Sequence, residues 1–283
     1  MEFLASGKWI LTGEHAVLRG HPAIVFPLPH FYVKLSYTDS GLALLGDSLI
    51  KPLKNTLMKG CAILGKSLNA ITGDFLIEGN IPLGFGLGSS AALCHVVGQW
   101  FLYKGWVQRE QLFEFCCRLE DVFHGCSSGL DILGSFSTTG VYYQHDRDPT
   151  PIQQTWKPLI CLSLLSVPKD TSKAIEIVRH LNEQNPTLGQ QIDHKMHHAT
   201  DMAKDALSLD KQDGLPLLAA SLNQACDCFY DWGLVNQPLY DAMQALRGHS
   251  PLAIKPTGAG LGGSVISLWA EHPPAIDGLI PLF

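Results

Sequence analysis

The run Gly84-Phe85-Gly86-Leu87-Gly88-Ser89-Ser90 sets the tightest limit on how this chain folds. Glycine adopts positive φ without steric cost, so glycines at alternate positions describe a tight turn whose N–H groups can converge on an anion. A short strand pattern, Asp74 to Glu78, precedes the run, and an apolar helix pattern from about Ala91 to Tyr103 follows it. If Ser89 or Ser90 caps that helix, the positive end of its dipole faces the same point as the loop amides, which makes a phosphate cradle. The loop lacks the Gly-Lys-Ser/Thr of a P-loop. It also lacks the third glycine and the later acidic residue of a dinucleotide fingerprint. A glycine turn alone is often mere punctuation, so the other features decide.

Three of those features carry chemistry. Lys8 precedes the apolar segment Trp9-Ile10-Leu11, which would hold its ammonium at a fixed place where it could neutralise a phosphate or a developing alkoxide. Glu14 and His15 follow in a turn. Glu120 lies late in a predicted helix over 108–123, and Asp131 follows a Gly/Ser-rich loop in an apolar setting. Two such carboxylates could divide the work, one holding Mg²⁺ and one accepting a proton. A second glycine loop, Lys255 to Ser264, lies between apolar strands. Each residue singly has a bland alternative as a solvated side chain or a cap. His194, His197 and His198 have metal-ligand spacing but sit in a polar stretch and read as a solvated helix face. Cys226 and Cys228 would point to different faces of a helix.

Composition bounds the class. The 283 residues are 46% hydrophobic and 16% charged, which excludes disorder for the bulk of the chain. A chain of this mass exposes roughly 12,000 Å² folded against about 45,000 Å² unfolded, so it folds without disulfide or metal staples. The net charge of −6 gives no basic stripe for nucleic acid. No apolar run is long enough for a membrane span, and no signal peptide is visible at the start. Eight cysteines without a Cys-x-x-Cys pair read as reduced, buried thiols of a cytoplasmic protein. Strand and helix signals mix without βαβ alternation, which predicts an α+β fold. The proline-rich stretch 146–158 places a boundary between domains 1–150 and 151–283.

Together the motifs resemble those of the mevalonate kinases in the GHMP kinase superfamily. Ala5 to Ala23, with Ser6-Gly7-Lys8 and Gly13-Glu14-His15-Ala16-Val17, is similar to the first motif. Gly84 to Ala92 is similar to the second, His124 to Asp131 to the catalytic-aspartate segment, and Lys255 to Ser264 to the third. The resemblance implies an N-terminal ATP-binding domain like domain 2 of ribosomal protein S5 and a ferredoxin-like C-terminal domain, with ATP and substrate in the cleft between them. It implies that Gly84, Phe85, Gly86, Leu87, Gly88, Ser89 and Ser90 wrap the ATP phosphates and that Ser90 and Glu120 hold Mg²⁺. Asp131 would be the base on the primary hydroxyl of mevalonate, giving 5-phosphomevalonate. Lys8 would stabilise the transition state, while Glu14, His15 and Thr171 would line the substrate side. A homodimer is left open. The competing readings are another GHMP small-molecule kinase, such as a phosphomevalonate kinase, and a non-catalytic nucleotide-binding paralogue. The chain departs from the family pattern at Ser6 (usually Pro), Ile132 (often Asn), Leu261 (usually Gly) and Ser264 (commonly Cys).

Overall fold

The computed structural model describes residues 1–43, 50–124, 128–166 and 171–283. In chain order these form β1 (Glu2–Thr12), β2 (Ala23–Ala43), α1 (Lys51–Ile63), β3 (Thr72–Gly79), α2 (Ser89–Tyr103), α3 (Leu112–His124), α4 (Leu130–Phe136), β4 (Val141–Tyr143) and β5 (Thr150–Pro151). They continue with β6 (Leu159–Leu164), α5 (Thr171–Gln184), α6 (Pro186–Ser208), α7 (Lys211–Asp231), α8 (Gln237–Arg247), β7 (Ala253–Thr257), β8 (Ser264–Trp269) and β9 (Leu279–Pro281). The expected helix cap at Gly125, the motif residues Cys126 and Ser127, and Val167 to Asp170 ahead of Thr171 lie outside the described residues.

The chain packs into two compact units. One comprises 1–8, 27–82 and 88–137; the other comprises 9–26, 83–87 and 138–283. The proline-rich stretch where the sequence places its boundary lies inside the second unit. Prolines mark where regular structure stops, whereas β1 and β2 are single strands that contribute residues to both units, which local composition does not signal.

In the first unit, β2 pairs antiparallel with β3 from Val33↔Gly79 to Thr38↔Asp74. The alternation over Phe31 to Tyr37 belongs to this ladder, with Val33, Leu35 and Tyr37 buried. Helix α2 packs against α1, α3 and α4. It is apolar around most of its circumference because it is enclosed: Ala91 to Gly98, Trp100 and Phe101 are all buried. Helices α2 and α3 run antiparallel and approach closely at Gly98, where a Cβ would fall 2.4 Å from Cys116 Sγ.

Buried His95 joins α2 to α4. Its Nε2 lies 2.9 Å from the Gln99 amide nitrogen and its Nδ1 lies 3.2 Å from Ser135 Oγ, so Nε2 accepts and Nδ1–H donates. Its ring stacks on Phe136 at 3.7 Å. Burial lowers its pKa to about 4, outweighing the raising effect of Ser135. A folded-state pKa below the unfolded value makes the native state bind fewer protons, so stability is lost as pH falls from about 6.5 towards 4. The full loss is about 3 kcal/mol. Urea unfolding of the wild type and of His95→Gln between pH 7 and 4.5 checks this. The wild type should lose stability faster with acid, and parallel curves would contradict it.

In the second unit, β6 to β9 form an antiparallel sheet in the order β7-β8-β6-β9. Its registers run Leu159↔Trp269 to Leu164↔Ser264 and Ala253↔Leu268 to Thr257↔Ser264. Helices α5 to α8 supply the apolar partners. One core gathers Val178, Met196, Phe229 and Trp232, and another gathers Leu239, Met243, Ile254 and Val265. In the same unit β4 pairs with Ala23 to Val25 of β2, and β5 pairs with β4. The seven described cysteines are free. Burial raises their thiol pKa values, to about 11 for Cys226 and about 12 for Cys117, which makes them inert neutral thiols.

Candidate active site

The first unit assembles Lys8, Gly88, Ser90, Glu120 and Asp131 from one strand and three helices. Lys8 is 1% exposed near the middle of β1, and its Nζ lies 2.7 Å from Asp131 Oδ1. Asp131, expected to follow a Gly/Ser-rich loop, is the second residue of short helix α4, which starts from Gly129 at φ 76°. Its carboxylate is therefore at the positive end of a helix as well as beside an ammonium, and both favour its charge. Unlike Lys8, the Asp131 side chain keeps 27% of its surface exposed, so one oxygen is committed to the pair while the group stays accessible.

The glycine loop meets the same lysine. Gly84, Gly86 and Gly88 have φ of 85°, 81° and 80°. The expected serine cap is corrected: the N-cap of α2 is left-handed Gly88, with no side-chain cap bond, and Ser89 and Ser90 form the first turn. At φ 80° a serine would be strained, and a Cβ at position 88 would fall 2.8 Å from Lys8 Cγ. Glycine here lets the start of α2 lie directly on the lysine stem. Gly88 brings no side chain of its own to cap α2, and the positive end of that helix lies against the Lys8 stem.

Helix packing places Glu120. The α2–α3 contact runs from Gly98 against Cys116 to Cys94, whose carbonyl accepts from Cys116 Sγ at 3.5 Å. One further turn along each helix leads to Ser90 and Glu120, because residues four apart share a face. Consistent with this, burial and then the charge of Glu120 raise the thiol pKa of Cys94. Glu120 is 1% exposed and Ser90 is half-buried.

In the second unit, Glu14 and Lys255 form an ion pair of 2.6 Å with side chains 2% and 0% exposed. Lys255 also lies over the Phe229 ring at 5.4 Å. His15 adopts φ 58° and packs against Phe229 and Trp232, and its Nε2 lies 2.8 Å from the Ala259 carbonyl. It lines a mostly apolar cleft of about 350 Å³ with Leu18, Ile175 and Val178. Thr171 begins α5, the helix that forms the far side of this cleft, and is half-buried. Sequence reasoning gave Lys255 no role. Its place in a glycine motif next to proline was visible, but its partner 241 residues away was not.

Two departures from the family pattern find their places here. Leu261 has φ 59°, a conformation that costs a branched side chain about 1–2 kcal/mol and explains why glycine is usual. Ser264 Oγ donates to the Phe85 carbonyl at 2.6 Å, tying β8 to the first glycine loop more strongly than a thiol would. Among the described residues no helix is long and apolar enough to cross a membrane.

Comparison with known proteins finds similar chains of one kind. Residues 55–139 match the GHMP kinases N-terminal domain. The mevalonate kinase of Pyrococcus horikoshii is 26% identical, over 93% of this chain and 87% of its own length. L. major mevalonate kinase, solved in complex with R-mevalonate, superposes with a TM-score of 0.78 at 20% identity, covering 99% of this chain and 94% of that one. Streptococcus pneumoniae phosphomevalonate kinase, solved with phosphomevalonate and AMPPNP, gives 0.75 at 18% identity, covering 96% and 93%. The α+β fold expected from the motifs is the fold these structures share. Beside the glycine-capped helix and the lysine–aspartate pair, residues 55–139 thus match a GHMP kinase N-terminal domain, and the chain is similar to mevalonate kinases over nearly its full length.

Proposed function

We propose that this chain is an ATP-dependent mevalonate kinase, transferring the γ-phosphoryl group of ATP to the primary hydroxyl of mevalonate. One observation carries the chemistry: an accessible carboxylate held at 2.7 Å by a buried ammonium, beside a helix that starts from a glycine. Asp131 accepts the hydroxyl proton as the oxygen attacks. Lys8 keeps Asp131 ionised and offsets charge building on the transferred group. The amides of Gly84 to Ser90 bind the phosphates, needing no side chain at the glycines. Glu14 acts through Lys255 to fix the turn that presents His15, and by the family resemblance His15 and Thr171 would contact the acceptor. Phosphoryl transfer asks a protein for positioning and charge neutralisation more than covalent chemistry, and this set provides both.

Mg²⁺ is the implied cofactor, and the donors suit it. A hydroxyl and a carboxylate are hard oxygen ligands, and Mg²⁺ bound with nucleotide needs only one or two from the protein. Among the described residues no group of three or more His, Cys, Asp and Glu forms an all-protein metal cage. Ser90 and Glu120 would hold the ion, which would neutralise phosphate charge when bound. Glu120→Gln is expected to raise the Mg²⁺ concentration for half-maximal rate by about tenfold. An unchanged Mg²⁺ titration would remove Glu120 from this role.

A coupled ADP-release assay over mevalonate, phosphomevalonate, homoserine and galactose tests the acceptor. Mevalonate should give the highest kcat/KM. A higher value for phosphomevalonate would move the chain to the neighbouring kinase, and no turnover with any acceptor would favour the non-catalytic reading.

A further inference from the structure

A second polar site lies in the larger unit, where a histidine outside the helical trio meets that trio. His21, just after the first motif, points Nδ1 at Nδ1 of His197 on α6, with 3.1 Å between the nitrogens. Two nitrogens 2.0–2.1 Å from one metal ion stand about 2.9 Å apart at right angles and about 3.3 Å apart at the tetrahedral angle. The observed separation falls between these values.

The surroundings orient both rings. His197 Nε2 lies 3.3 Å from Asp201 Oδ2, and the Tyr142 hydroxyl donates to Asp201 Oδ1 at 2.9 Å. Asp201 thus takes the Nε2–H of His197 and leaves the Nδ1 lone pair facing His21. A carboxylate behind a histidine in this way is the usual support of a metal-ligating imidazole. One helical turn before His197, Asp193 receives a two-pronged contact from Arg19 at 2.5 Å per bond, fixing the backbone that carries His21 to the same helix. His194 is exposed on the same face of α6, with its ring 5.4 Å from that of His21. A polar cavity of about 460 Å³, lined by Tyr142, His197, Asp201 and Lys204 among others, gives water access to the His197 side of the pair.

We propose that His21 and His197 form a two-histidine binding site for a divalent late transition-metal ion such as Ni²⁺, Zn²⁺ or Cu²⁺, clipping the end of the first motif to α6. Imidazole nitrogen selects these ions over Mg²⁺ and Ca²⁺. Without metal, His21 Nδ1–H donates to His197 Nδ1. With metal, that proton sits on His21 Nε2 instead, so the exchange is a tautomer change with no net proton release. Water fills the remaining positions. The Arg19–Asp193 contact means that little ordering is left for the ion to impose. The site is independent of the kinase reading, and it differs from the reading of the helical trio as a merely solvated face.

The test uses the untagged full chain at pH 7.5 without nucleotide, with Ni²⁺ as probe. Ni²⁺ should raise the melting midpoint by several degrees through preferential binding to the folded state. His21→Gln and His197→Gln should each weaken Ni²⁺ binding at least tenfold by calorimetry. His198→Gln, which changes an exposed ring beside Gln224, should leave it unchanged. As a measurement that needs no variant, Ni²⁺ should protect His21 and His197 from diethyl pyrocarbonate, read by mass spectrometry. Wild-type affinity in both Gln variants, or absence of protection at saturating Ni²⁺, overturns the proposal.

Discussion

Asp131→Asn is expected to lower turnover by about 10²–10⁴-fold while changing nucleotide affinity less than about threefold. The amide keeps the size and shape of the side chain but cannot take the acceptor's proton. Because Asp131 is the second residue of α4 and the amide oxygen of asparagine can still accept from Lys8, the local fold should survive the change. At about 3–5 kcal/mol of transition-state stabilisation, the loss is too large for a repositioning of substrate alone. Lys8→Met should also lower turnover strongly, since it removes the charge and leaves Asp131 without its partner. Groups that act as a unit are not additive, so the double variant should be little slower than the worse single one. Rates that multiply in the double variant would show that the two residues act independently. An active Asp131→Asn would end its assignment as base.

Lys255→Met should destabilise the protein by about 3–5 kcal/mol, because it leaves the Glu14 carboxylate charged, buried and without its counter-ion. Glu14 Oε2 already has no hydrogen-bond partner among the described residues, so the ammonium on Oε1 is its main compensation. Replacing both groups by apolar ones, as in Lys255→Met with Glu14→Leu, should recover most of the loss, since a buried ion pair contributes little against well-packed hydrophobic residues. Urea unfolding of the two single variants and the double variant measures this. Equal instability of the double variant and Lys255→Met would mean that the pair itself, rather than the orphaned charge, holds the region. The same double variant should bind acceptor poorly even where it is folded, because His15 follows Glu14 directly in a turn at φ 58°.

Much of this was legible in the residues. The glycine–serine run announced a strand–loop–helix cradle because alternate glycines at positive φ have few other uses. The apolar helix after it was legible because its burial is nearly complete. The capping serine was misjudged because cap preference is a local rule, and here the tight contact with Lys8 admits only a glycine at position 88. The α4 helix escaped notice because seven residues make barely two turns and show no period. Glu14–Lys255, Arg19–Asp193 and His21–His197 were invisible, since side-chain pairs separated by more than 170 residues leave no spacing signal. Nor could Pro149, Pro151 and Pro158 reveal that the chain crosses between its compact units four times before residue 137 and once after it.

Phosphoryl transfer to mevalonate through Asp131 is tested most directly by ³¹P NMR of the purified chain with ATP, Mg²⁺ and R-mevalonate. The expected spectrum shows a phosphomonoester resonance growing in step with ADP, and none on that timescale with Asp131→Asn. ADP accumulating together with inorganic phosphate but no monoester, or a monoester formed equally fast by Asp131→Asn, would contradict it.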